Sequence, residues 1–279
     1  MIMNHKPEEK IERLRLEPSI FGTKPSEDLT RCISDFLFKF ADLPNIEIEG
    51  KLGLLVDKHS SSRISLPVLT ETVIAENQSW LQFDSDMSER QHANYNKLFN
   101  SRFSETQDPR HKGSKLYYKH TKEIDRYFNT NGTRFRVTVD KETNKVIRSI
   151  TKKKVAKLDI YSPRTRLDFR ISINQEIPVD FTENDLCLME RQKDRISYKH
   201  DLYSFDLTKV FSISQSKYPQ TYGNSNPRSK VSHELEVEID NLEVFTAEMN
   251  KAKRNSPNQL SEIVQVFVNN MKVLAKHAI

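Results

Sequence analysis

Acidic and aliphatic residues alternate strictly along Ile46-Glu47-Ile48-Glu49-Gly50-Lys51 and again along His233-Glu234-Leu235-Glu236-Val237-Glu238-Ile239-Asp240. In a β-strand such alternation sends every acid to one face. Arg191-Gln192-Lys193-Asp194-Arg195 places three cations on one face by the same period. Three more stretches share the design. Arg170, Ser172, Asn174 and Glu176 oppose Phe169, Ile171 and Ile173, with Arg166 and Asp168 on the polar side. Arg134 and Arg136 oppose Phe135, Val137 and Val139, and Asp206 and Thr208 oppose Phe205 and Leu207. A helical period instead runs from about Ser26 to Ala41 through Leu29, Ile33, Phe36, Leu37 and Phe40. Another begins near Pro257 with Leu260, Ile263, Val264, Phe267, Val268, Met271 and Leu274. A shorter helix is expected near residues 87 to 100, hairpin turns at residues 57 to 62 and 129 to 132, and polar loops around 100 to 114 and 214 to 230. Residues 1–22 show no stable period and are expected to form a flexible arm, leaving 23–279 as one domain.

Composition narrows the class. With 279 residues, 36% hydrophobic and only 6 Gly, the chain is long enough for one sizeable core. Lysine and arginine number 44 against 39 acids, a net charge of +5 that permits a polyanionic ligand without requiring one. Cys32 and Cys187 are too few for a disulfide framework and have no metal-ligand spacing, which favours a reducing compartment. No apolar run approaches the roughly 20 residues that span a bilayer, and no secretory signal is evident, so no membrane partner is expected.

Charged strand faces can simply be solvated. A closed antiparallel barrel of about eight strands, however, has room inside for one small ligand, and would gather these faces into a shared volume. Burying so many ions costs several kcal/mol each unless they are paired, so such a lumen calls for a ligand. Clustered carboxylates without His or Cys suit Mg²⁺ or Mn²⁺. Clustered Arg and Lys suit phosphate oxygens.

The blocks Ile-Glu-Ile-Glu-Gly-Lys-Leu-Gly (46–53), Lys-Asp-Arg-Ile-Ser-Tyr (193–198), Asp-Leu-Thr-Lys (206–209) and His-Glu-Leu-Glu-Val-Glu (233–238) resemble, in this order, the fungal metal-dependent RNA 5′-triphosphatases. These are β subunits of mRNA capping enzymes within the triphosphate tunnel metalloenzymes. The resemblance covers roughly residues 25 to 279. It implies a mainly β, α+β fold: an eight-stranded antiparallel tunnel flanked by helices, in which the γ-phosphate of nascent RNA is hydrolysed. Glu47, Glu49 and Glu238 would bind the metal, with Glu234 and Glu236 on the same tunnel side. Arg136, Lys193 and Arg195 would clamp the γ-phosphate, and Glu176 would orient the attacking water. Lys152, Arg170, Arg191, Asp206, Thr208 and Lys209 match other functional motifs, although Lys153 and Lys154 adjoin Lys152. Lys209 lies opposite Asp206 and Thr208 on strict alternation. Asp125 is a further candidate.

The implied cofactor is Mg²⁺ or Mn²⁺, the implied location the nucleus, and the implied substrate RNA with a 5′-triphosphate. A homodimer is expected through the N-terminal helix. The guanylyltransferase is a possible partner, but the Trp-containing basic docking segment of fungal members is not seen, the single Trp being Trp80 within the β body. Hydrolysis of inorganic tripolyphosphate or nucleoside triphosphates in the same tunnel is the alternative activity. A non-catalytic polyphosphate or RNA-binding module is a third reading, which the acidic strands disfavour.

Overall fold

The computed structural model describes residues 15–25, 27–75, 78–130, 132–180, 187–214 and 228–279. Helix α1 (Asp28–Phe38) precedes β1 (Ile46–Asp57), β2 (Thr72–Ile74) and β3 (Leu81–Asp84). After α2 (Glu89–Gln107) come β4 (Tyr117–Thr130), β5 (Thr133–Asp140), β6 (Val146–Tyr161), β7 (Asp168–Pro178), β8 (Met189–His200), β9 (Tyr203–Ser214) and β10 (Arg228–Ile239). Helices α3 (Leu242–Lys253) and α4 (Leu260–Lys276) end the chain. The sheet runs β10-β9-β8-β4-β5-β6-β7-β1, and β10 pairs with β1 to close an antiparallel barrel of eight strands. Closure leaves the barrel without a free edge to pair with another chain.

The alternation read from the sequence is resolved by this closure: charged faces turn inward and apolar faces turn out onto the helices. Phe267, Val268 and Met271 of α4 are fully buried, in one core with Ile48 and Leu52 of β1, Ile171 of β7 and Leu235 and Val237 of β10. Each such side chain contributes about 1.5–3 kcal/mol by leaving water. Gly50 is what lets α4 come so close. A Cβ there would stand 2.6 Å from the Met271 sulfur, so Gly50→Ala makes the end of the Met271 side chain repack between β1 and α4. At Gly53 a Cβ would meet the Asp84 carbonyl at 2.2 Å. There β1 leaves β10 and takes β3 as its neighbour.

Helix α1 is shorter than expected but buries the anticipated Ile33, Phe36 and Leu37, in the core shared with α4, with Glu27 paired to Lys272 at 2.8 Å. Helix α2 runs seven residues past the expected end, to Gln107, so the loop expected from 100 is helical there. Its apolar stripe is thin, Tyr95 and Phe99 being its large buried residues, because most of its circumference faces solvent; Tyr95 donates its hydroxyl proton to Leu274 O at 2.7 Å. Helix α3 was not anticipated; Asn241 caps it and Phe245 and Met249 hold it to the core. The expected loop at 214 to 230 gives way to β10 from Arg228, and residues 215–227 lie outside the described residues, as do 1–14 of the expected arm. No described helix is long and apolar enough to cross a membrane.

Candidate active site

The barrel encloses a tunnel of about 1180 Å³. Because side chains alternate in a strand, each wall contributes every second residue. Glu47, Glu49 and Lys51 come from β1, Glu234, Glu236 and Glu238 from β10, Arg191, Lys193 and Arg195 from β8, Arg134 and Arg136 from β5, and Arg170, Ser172, Asn174 and Glu176 from β7. Lys152 and Lys154 enter from β6 on one face, and a bulge between Lys154 and Ala156 also brings Lys157 to the lumen.

On the acidic side, register places Glu49 beside Glu238 and Lys51 beside Glu236. Two groups of three carboxylates follow, Glu47–Glu49–Glu238 and Asp206–Glu236–Glu238, each offering oxygens that all lie within 4.8 Å of one another. Most of these acids have a counter-cation. Lys152 Nζ lies 2.5 Å from Glu47 and 3.4 Å from Glu49, Lys51 lies 2.6 Å from Glu236, and Arg195 lies 2.9 Å from Asp206. Glu238, common to both groups, has no cation within 4.0 Å among the described residues. Burial first, then Asp206, Glu236 and Glu47, push its carboxyl up to about 8. An all-oxygen, acid-rich pocket whose central carboxylate holds a proton for want of positive charge fits a hard divalent cation. Asn174, buried, donates from one amide nitrogen to Glu47 and Glu49, both at 2.9 Å, and fixes their orientation.

On the opposite wall the cations crowd one another. Asp125 of β4 is fully buried and anchors them: it pairs with Lys193, lies 3.8 Å from Arg136 and accepts from Thr138 at 2.6 Å. Burial opposes its charge, but Lys193 and Arg136 hold its carboxyl down at about 2. Lys193 is pushed below the ordinary lysine range by burial, with Arg195 and Arg136 adding to the shift. A lysine packed between two guanidinium groups is a ready anion site. Arg136 also meets Glu176 at 3.0 Å, and Arg148 approaches the other oxygen of Glu176 at 3.5 Å. Arg191 pairs with Glu234 at 2.7 Å, and Arg170 grips Asp159 with two bonds of 2.5 and 2.9 Å.

The structure thus brings together on the tunnel wall Glu47, Glu49, Glu234, Glu236, Glu238, Arg136, Lys152, Arg170, Glu176, Arg191, Lys193, Arg195 and Thr208, with Asp206 and Asp125 buried beside them. Within the lysine run, Lys152 reaches Glu47 while Lys153 is exposed. Lys209 is the exception. Its side chain is exposed on the outer face of β9, across from His233, so it does not join the tunnel. Strict alternation with Thr208 is the physical reason. Sequence reasoning did not nominate Asn174, Arg148 or Tyr127. Asn174 carried a signal, standing at period two with Arg170 and Glu176; Arg148 and Tyr127 sit in stretches of mixed polarity where no face stands out.

A closed eight-stranded barrel whose lumen sets a carboxylate cluster against a cation cluster is a triphosphate tunnel. The family model for the mRNA capping enzyme, beta chain, matches residues 23–278, and the chain belongs to that family. It is 32% identical to the mRNA-capping enzyme subunit beta of Schizosaccharomyces pombe, over 96% of this chain and 90% of the relative. The subunit from Cryptococcus neoformans is 30% identical, and there the chain spans 64% of the relative's length. Among solved structures, the S. pombe Pct1 RNA triphosphatase superposes with a TM-score of 0.83 at 31% identity, over 95% of this chain and 99% of that one. Pct1 has also been solved in complex with the Spt5 CTD.

Proposed function

We propose that this protein removes the γ-phosphate from the 5′-triphosphate end of nascent RNA and leaves a 5′-diphosphate, the first step of cap formation. The observation that carries the reading is Glu238, a half-buried carboxylate shared by two oxygen clusters and lacking a counter-cation among the described residues, in one tunnel with the Lys193–Arg136–Arg195 cluster. Such a lumen suits a divalent cation and a polyphosphate together better than either alone.

In this reading Glu47, Glu49 and Glu238 hold Mg²⁺ or Mn²⁺, oriented by Asn174, with Glu236 and Glu234 adjoining. Once bound, the ion neutralises charge on the γ-phosphoryl oxygens. Lys193, Arg136 and Arg195 grip the same phosphoryl group from the other wall, and their positions are fixed in advance by Asp125 and Asp206. Glu176 orients a water in line with the γ-phosphorus. As the water oxygen bonds to phosphorus, the bond to the β–γ bridging oxygen breaks, the water proton passes toward Glu176, and the cations stabilise the departing diphosphate. Lys152 lies 3.9 Å from Glu176 and 2.5 Å from Glu47, so it couples the water-orienting carboxylate to the ion-binding pair.

Release of labelled γ-phosphate from triphosphate-ended RNA tests the reading, with EDTA and Glu47→Ala as controls and tripolyphosphate and ATP as comparison substrates. Metal-dependent release from RNA, lost in the variant, is the expected result. Release from tripolyphosphate or ATP alone would replace RNA as the substrate. The reading places the protein in the nucleus beside a guanylyltransferase. It includes a homodimer; α1, the helix expected to form it, buries Ile33, Phe36 and Leu37 in its own chain's core, so the contact is assigned instead to the exposed Leu16, Ile20 and Phe21 just before it. Sedimentation of the wild type against Ile20→Asp and Phe21→Asp tests that assignment.

A further inference from the structure

The two mouths of the tunnel differ in chemistry. Along β1 the lumen residues follow the order Glu47, Glu49, Lys51, and Lys51 lies across from Arg170 on β7. On β6, Lys157 and Asp159 lie across from Ser172 and Arg170, while Lys152 lies back beside Glu176. Strand β5 runs opposite to β6, with Thr138 at Arg148 and Arg136 at Ile150, so Arg134 continues toward the Arg170 end; Tyr127 of β4 pairs with Arg136. Phe83 of β3 stands across from Leu55, beyond Lys51 on β1, again at the Arg170 end. One mouth therefore carries two guanidinium-on-aromatic pairs: Arg170 over Phe83 and Arg134 over Tyr127, each 4.7 Å from guanidinium carbon to ring centre. The opposite mouth is lined by Asn45, Asp240, Leu242 and Arg148, the last engaged with Glu176.

We propose that RNA enters by the Arg170 mouth and that its first nucleoside is received by the Phe83–Arg170 and Tyr127–Arg134 pairs, a base-stacking subsite outside the phosphate-binding tunnel. This deepens the function proposed above and rests on it. Three observations converge. The rim there is the more basic one, with Lys154 and Lys157 beside the two arginines and Asp159 as their acid, whereas at the far mouth Asp240 is paired with Lys199 at 2.7 Å and Arg148 with Glu176, so a polyanion is drawn to the first. A guanidinium clamped edge-on by Asp159 and backed by Phe83 keeps a flat outer face, the surface on which a nucleobase stacks in single-stranded RNA recognition. This mouth is also joined to the phosphate site. From this mouth the γ-phosphate is the first group to reach Lys193, Arg136 and the Glu49–Glu238 cluster, while the α-phosphate and nucleoside stay at the rim. Tyr127 joins the two levels, its hydroxyl standing beside Arg136 and Arg191 while its ring carries Arg134.

The test compares kcat/KM for tripolyphosphate, for GTP and for triphosphate-ended RNAs of two and ten nucleotides, in the wild type and in Phe83→Leu, which keeps apolar volume under Arg170 but removes the aromatic face. We expect KM for both RNAs to rise about tenfold, with kcat unchanged and tripolyphosphate hydrolysis within about twofold of wild type. An unchanged KM for RNA, or an equal loss on tripolyphosphate, would overturn the subsite and leave Phe83 as a prop for Arg170. Photo-crosslinking of triphosphate RNA carrying 4-thiouridine at its first position reads the mouth without turnover. Crosslinks on the peptides holding Phe83 and Tyr127 are expected, and crosslinks on those holding Asn45 and Asp240 would reverse the direction. A wild type that crosslinks at Phe83 yet releases no phosphate from RNA would strike the proposed function alone.

Discussion

Two buried networks on strand β7 use similar residues to opposite ends. At its start, Asp168 is completely buried and fully matched. It accepts from Leu55 N and Ser162 N, both at 2.9 Å, and from two nitrogens of Arg63 at 3.0 and 2.6 Å. Arg63 in turn bonds the carbonyls of Thr165 and Ser162. Further along the same strand, Arg170, Asn174 and Glu176 enter a tunnel whose charges do not balance locally: Glu238 keeps a proton, Lys193 is pressed to lose one, and the Nε atoms of Arg136 and Arg195 are buried without partners among the described residues. Matched charges lock the loops at the barrel end. Frustrated charges hold energy that an ion and a polyphosphate can release, and the difference separates architecture from function more cleanly than burial does, since Asp168 in one network and Lys193 in the other are alike buried.

The strongest way to break this comparison is to unbalance the tunnel. Glu47→Ala or Glu49→Ala should lower metal-dependent turnover at least about a hundredfold while circular dichroism and Tm stay near wild type; an active Glu47→Ala protein would sink the assignment. Breaking the matched network should do the reverse. Arg63→Ala strands the Asp168 carboxylate in the interior and should cost about 3–5 kcal/mol of stability, read by urea denaturation, with activity per folded molecule nearly unchanged. Asn174→Ala lies between, since it frees the carboxylates of Glu47 and Glu49 without removing either. A 10–100-fold weaker metal affinity is expected, with kcat recovering at saturating metal.

The Glu238 carboxyl gives the comparison a pH signature. Its folded pKa, about 8, lies above the ordinary 4.5. Between those values the native state holds a proton that the unfolded chain has released, so metal-free stability should fall as pH rises from about 4.5 to 8. The matching loss is on the order of a few kcal/mol, and Glu238→Gln should flatten it. Divalent metal should flatten it too, by taking the proton's place, and should raise Tm most at the alkaline end. A metal-free stability profile that stays level across this window in the wild type would mean that the acids find countercharge the structure does not show.

Much of this was legible in the sequence because period-two alternation is a geometric fact: it put Glu47 with Glu49, Arg191 with Lys193 and Arg195, and Glu234 with Glu236 and Glu238 before any strand was paired. What it could not give was depth. Asp168 and Arg170 share a face by the same rule, yet one ends in a matched network and the other at the tunnel mouth, because β1 exchanges β10 for β3 at Gly53. Helix α3 escaped for a related reason, since its few buried residues gain meaning only from the barrel wall beneath them.

The smallest expected effect is the sharpest test of the alternation itself. Thr208 and Lys209 are neighbours in a block shared with functional motifs, but Thr208 is buried at the lumen with a hydroxyl that has no partner among the described residues, whereas Lys209 is exposed toward α2. There it helps hold His92, already lowered chiefly by burial and then by His233, at about 4. Lys209→Ala should therefore leave kcat/KM within about twofold and stability within about 0.5 kcal/mol, while the His92 titration followed by NMR moves upward. Thr208→Val, by contrast, should lower kcat/KM without moving His92. Should Lys209→Ala cost activity with His92 unmoved, the outward face of β9 would have to contribute to the site, and inside against outside would no longer divide function from architecture on that strand.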